Sequence, residues 1–117
     1  MSFSALLWLA LAASPCRLPA EVDGLTVHQY CAFPNEVRVF VRERALCDHW
    51  RGEYPDPPQD AKNKGDAKIY KARLREVKAG AKRYCTGSEN RLQRLKQLYA
   101  KRPDIMQQLR TYEADIN

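Results

Sequence analysis

Asp66–Tyr84, read DAKIYKARLREVKAGAKRY, decides the fold. Tyr70, Leu74, Val77, Ala81 and Tyr84 recur at spacings of four, three, four and three residues. That period belongs to one face of a helix, and the face is a narrow apolar seam suited to packing on other helices. Asp66 reads as the cap that opens the helix, and Gly87 as the residue that breaks it. Gly80 sits inside the run, where it costs about 1 kcal/mol relative to alanine and so marks a close helix crossing. The same run carries Lys68, Lys71, Arg75, Lys78 and Lys82 at spacings of three, four, three and four. On a helix they form one stripe about 21 Å long beside the seam.

Toward the C-terminus, Thr86 with Glu89 resembles a capping box, with Ser88 as the rival cap. Leu92, Leu95 and either Leu98 or Tyr99 form the face of a third helix, and Pro103 fits the first turn of a fourth. Ile105, Leu109, Tyr112 and Ile116 repeat on that helix at four, three and four. Toward the N-terminus, Asn35 reads as an N-cap, and Val37, Phe40, Val41, Cys47 and Trp50 share one face. The alternation Val37, Val39, Val41 also fits a strand, but the pattern extends to Trp50 and Gly52 supplies a helical stop. Pro55, Pro57 and Pro58 make the next connection stiff and non-helical. Residues 21–34 lack a period and read as a loop with room for a short helix. The expected fold class is all-α: one small antiparallel bundle of about four helices, stapled by disulfides, over residues 21–117.

Phe3–Ala13, FSALLWLALAA, is an uncharged apolar run. It is shorter than the ~20 residues a spanning helix needs, so residues 1–20 read as an export signal. Two cuts fit: after Ala20, with Leu18 at −3, which is preferred, and after Ala12, with Ala10 at −3. The expected location is the periplasm or the exterior. No later stretch is long and apolar enough to span a membrane.

Four cysteines in an exported chain point to disulfides. Cys47 and Cys85 lie near the ends of the two longest helical segments and are the expected pair. The first cut discards Cys16 and leaves Cys31 odd; the second keeps both. Cys31 is then free, or paired with Cys16 or another chain.

Catalytic motifs are lacking. Cys47 and His49 are two residues apart and point to opposite sides of a helix. No Gly-x-Ser-x-Gly elbow, no HExxH helix and no Cys-x-x-Cys pair occurs. The expectation is a non-enzyme with no cofactor and no metal. His49, Trp50, Arg51 and Glu53 admit two readings, a surface recognition element or a helix end anchored by Trp50 and capped by Gly52, and the second is preferred.

Charge is the strongest functional signal. The chain has 20 Lys/Arg against 14 Asp/Glu, a net +6. Residues 62–102 alone hold 14 bases and three acids, Asp66, Glu76 and Glu89, a net +11. Such a surface suits an anionic envelope component or an acidic protein; the other reading, which is preferred for the stripe by itself, is a solvated flank whose long stems cover the edge of the core. Nucleic acid suits the charge but not an exported protein. Arg38, Arg42 and Arg44 are expected to be exposed bases off the stripe.

The run Cys47-Asp48-His49-Trp50-Arg51-Gly52-Glu53, with Cys85-Thr86-Gly87 and Leu95-Lys96-x-x-Tyr99, resembles small exported helical cysteine proteins of Gram-negative bacteria. It is also similar, more loosely, to lysozyme-inhibitor-like envelope proteins. The resemblance covers residues 31–117 and implies a periplasmic, helical, disulfide-bonded protein. Inhibitor activity does not follow from it, because animal lysozymes are basic and a +11 segment repels them. The leading expectation is an interaction protein with a basic helical surface. The alternative is an inhibitor or immunity protein acting on a cell-envelope enzyme.

Overall fold

A computed structural model of the chain describes residues 15–59 and 62–113. The apolar run Phe3–Ala13, the cut after Ala12 and Ile116 lie outside the described residues. Among those described there are five helices and no strand: α1 (Val27–Ala32), α2 (Asn35–Arg51), α3 (Lys64–Cys85), α4 (Ser88–Leu98) and α5 (Pro103–Thr111). The four longer helices are those expected from the sequence. None of the helices is long and apolar enough to cross a membrane.

Helix α2 is the axis on which the rest is assembled. Descending α2 from its C-terminal end, Glu53 meets Arg73, Trp50 meets Gly80, Cys47 bonds Cys85 and Arg44 meets Ser88. Glu43 then meets Arg91, and Glu36 meets Tyr99. Partner numbers rise as α2 numbers fall, so α3 and α4 both run antiparallel to α2, one after the other. Gly87 makes this possible: at φ 76° it adopts a left-handed conformation that other residues avoid, and it restarts the chain as α4.

The main core lies at the N-terminal half of α2. Val37, Phe40 and Val41 pack with Tyr30 and Phe33, with Leu92 and Leu95 of α4, and with Ile105, Leu109 and Tyr112 at α5. Phe40 and Tyr112 meet edge to face at 5.5 Å. Burying a side chain such as Leu92 or Ile105 completely is worth about 1.5–3 kcal/mol. Tyr99, rather than the 55% exposed Leu98, is the residue that packs against this core from the end of α4.

Helix α3 stands outside that core and is held to the C-terminal half of α2 by other means. Val77 is fully buried, and the Cys47–Cys85 bridge closes a separation of 38 residues. The chain-entropy model gives such a loop about 3–4 kcal/mol. Trp50 lies against Gly80 so closely that a Cβ there would stand 2.3 Å from the indole. The close crossing expected from Gly80 is present, and Trp50 anchors it. Only Val77 of the five seam residues is buried; Tyr70, Leu74, Ala81 and Tyr84 are half-buried. Tyr70 lies where α3 extends past Gly52, and there Ile69 is 70% exposed, while Tyr84 lines an open cleft beside α2.

Arg44 corrects the sequence reading. It is 1% exposed. Its Nη1 donates to Ser88 Oγ at 2.8 Å and to Glu89 Oε1 at 2.9 Å, and its Nη2 donates to the Tyr112 carbonyl at 3.3 Å. One guanidinium therefore joins α2 to the start of α4 and the end of α5. Arg38 is half-buried, with Nη1 3.3 Å from Cys16 Sγ. Of the three bases expected to be exposed, only Arg42 is.

Several caps also differ. Asn63, not Asp66, caps α3, its side chain accepting from the Gly65 and Asp66 N–H groups. No capping box forms at α4: Gly87 is the N-cap, the Thr86 hydroxyl donates to the Lys82 carbonyl, and Ser88 and Glu89 serve Arg44. Helix α2 starts at Asn35 itself, after Pro34. The loop at 21–34 holds α1, closed by a capping box between Thr26 and Gln29.

Cys31 is bonded to Cys16. This bridge, with Leu18 packed against the core and Val22 buried, makes residues 16–22 part of the folded domain.

Candidate basic ridge and the adjoining cleft

Successive residues of a helix are turned by about 100°. Measured from buried Val77, Lys68, Lys71, Arg75, Lys78 and Lys82 all fall on the side of α3 facing away from α2, and all five are exposed. Because α3 begins at Lys64 rather than after Asp66, a sixth cation joins them. Lys64, also exposed, continues the spacing of four. The six occupy a strip about 80° wide, and no other residue of α3 lies in it. Its borders are Ala67, Ala72 and Ala79, which carry neither counter-charge nor bulk.

None of the six forms an ion pair among the described residues. The acids of α3 are engaged elsewhere or turned away: Glu76 pairs with Arg73 at 3.0 Å, and Asp66 lies at the helix start toward the packed side. Arg73 bonds Glu53, just past the end of α2, at 2.8 Å. Its guanidinium is held above the usual arginine range, first by the hydrogen bond to Glu76 and then by Glu53.

The His49–Glu53 segment divides. Trp50 is half-buried against Gly80, with the Arg73 guanidinium carbon 5.8 Å from its ring centre. His49 and Arg51 are exposed. Glu53 serves Arg73. Trp50 and Glu53 thus hold the α2–α3 pair, as the helix-end reading expects, and only His49 and Arg51 remain as surface.

On the other flank of α3, an open cleft of about 1100 Å³ lies between α2, α3, the end of α5 and residues 20–23. Its rim carries Glu21, Asp23, Asp48 and Glu76 against Arg83 and His49. The chain is therefore polarised across α3, with cations on the outer strip and carboxylates around the cleft. Sequence reading misses the cleft because its walls come from four separate stretches of chain.

All four cysteines are in the two bridges. Among the described residues no group of three or more His, Cys, Asp or Glu side chains is placed to hold a metal ion. No protein family, curated protein or solved structure matches the chain.

Proposed function

We propose that this chain is an exported, non-enzymatic binding protein whose basic ridge on α3 holds an anionic partner in the periplasm or outside the cell. The observation that carries this reading is the ridge itself: six unpaired cations alone in one strip of a helix whose opposite side is anchored by Val77, Trp50 and a disulfide. Chains of exposed lysines normally share a surface with acids, which stabilise a helix by pairing at i, i+4. Here that compensation is missing, and the free field is available to a partner. Two disulfides fit an oxidising compartment.

The test changes Lys71, Arg75 and Lys78 together to Gln. Exposed substitutions usually move stability by less than about 0.5 kcal/mol each, so the fold survives. Retention on anionic vesicles or cell-wall material falls sharply, and the unaltered protein elutes as salt rises, because the screening length, about 8 Å at physiological strength, shrinks further. The matched control is Arg42, Arg94 and Arg110, which are exposed and off the ridge. Equal loss from both triples contradicts a defined site.

Export also predicts a processing site. Cys16, Leu18 and Val22 belong to the fold, which supports a cut after Ala12, with Ala10 at −3, over the cut after Ala20. N-terminal sequencing of the mature chain is expected to begin at Ala13. A chain beginning at Glu21 contradicts this, since Cys31 would have lost its partner.

A second reading, an inhibitor or immunity protein acting on an envelope enzyme, is favoured by one feature. The acid-rimmed cleft complements a basic loop, the charge that the ridge repels. Recovery of one stoichiometric enzyme from envelope extract, lost on changing Glu21 and Asp23 to Lys, supports that reading.

A further inference from the structure

The ridge is a line, and its shape narrows the class of partner, an assignment that rests on the proposed binding role of α3. From Lys64 to Lys82 the helix rises about 27 Å, with one cation per turn of about 5.4 Å. The six side chains share a strip about 80° wide, and the flanking positions Ala67, Ala72 and Ala79 are neutral. A helix that lies in a bilayer surface buries an apolar face beneath its basic one. Helix α3 has none to offer on this side: its apolar residues Leu74, Val77 and Tyr84 face the other way, and exposed Ile69 lies well outside the strip. Five of the six cations are lysines, compact point charges that bind phosphate without the bidentate geometry arginine imposes.

We propose that the ridge binds a linear phosphate polymer lying parallel to α3, each turn of the helix presenting one ammonium or guanidinium to the anionic groups along it. Recognition is by charge arranged in a line, without a pocket and without base or sugar contacts. Release of counterions from the polymer supplies the driving force, so affinity depends steeply on salt.

The probe is inorganic polyphosphate in a series of defined chain lengths, with the full disulfide-bonded protein titrated at several salt concentrations. Affinity is expected to climb with length until the polymer spans the ridge, about 27 Å, and then to level off per bound protein. With six contacts, the plot of log K against log salt has a slope of about −4, taking the single-strand coefficient of roughly −0.7 per contact. Changing Lys64 and Lys68 to Gln removes one end of the ridge. The plateau should then arrive at a shorter polymer, and the slope should fall to about −3. The control triple Arg42, Arg94 and Arg110 should leave the plateau length unchanged. Tight binding to phosphatidylglycerol vesicles with no length-dependent binding to polyphosphate overturns the linear-polymer inference and leaves the anionic-partner reading standing. Failure of both probes overturns both. A plateau that does not move in the Lys64, Lys68 variant overturns the assignment of the ligand axis to α3.

Discussion

Replacing Arg44 with methionine is expected to lower the stability of the fold by about 3 kcal/mol. Removing one member of a buried ion pair typically costs 3–5 kcal/mol. The lower end applies because the remaining carboxylates, Glu89 and Asp48, are 49% and 43% exposed and return to water easily. The main loss lies elsewhere. The Ser88 hydroxyl is 3% exposed, and it loses a donor together with the Tyr112 carbonyl. Lysine should not rescue the site, since one ammonium cannot reach three acceptors on two elements from a guanidinium's position. Urea unfolding of the oxidised protein measures the effect as a shift in midpoint at constant slope. A change below about 1 kcal/mol would show that Arg44 does not join the three helices.

The second large effect is expected at Gly80. Alanine there should gain about 1 kcal/mol of helix propensity, yet the net change is expected to be a loss of about 1–3 kcal/mol. The new Cβ would stand 2.3–2.6 Å from three central indole atoms of Trp50, which cannot swing aside like the tip of a flexible chain. The neighbouring Cys47–Cys85 bridge fixes the two helices and prevents them from separating. A double-mutant cycle isolates the contact. In a Trp50→Ala background the space opens, and Gly80→Ala should become neutral or stabilising. If Gly80→Ala stabilises the unaltered protein, α2 and α3 do not approach as described.

These two positions show what is legible in the sequence and what is not. The seam of α3 can be read because a regular three–four spacing has few explanations besides a helix. Gly80 can be read because a glycine within such a run is costly without a packing reason. Cys47–Cys85 follows from the helix ends. Arg44 reads as exposed because arginine is seldom fully buried. Yet Val37, Phe40, Val41, Arg44 and Cys47 step along α2 by three, one, three and three, so Arg44 occupies an apolar-face position that its charge conceals. Residues 16–20 read as leader for a similar reason. A stretch after an apolar run looks like its cleavage region, and only the pairing of Cys16 with Cys31 returns it to the domain. Lys64 escapes notice because Asp66 looks like the cap, although Asn63 is an equally good one. The cleft depends on contacts among residues 20–23, α2, α3 and α5, which no local pattern encodes.

The Arg44 prediction concerns the joint of α2, α4 and α5, and the Gly80 prediction the packed side of α3, whereas the function proposed lies on the exposed side of α3. The direct measurement is lysine footprinting: brief acetylation of the native protein with and without a long polyphosphate, followed by quantitative peptide mapping. Lys64, Lys68, Lys71, Lys78 and Lys82 should be protected together, with protection lost at high salt, while exposed Lys101 beyond α4 keeps its reactivity. Uniform protection of all these lysines, or protection of Lys101 without the α3 set, would contradict a binding ridge on this helix.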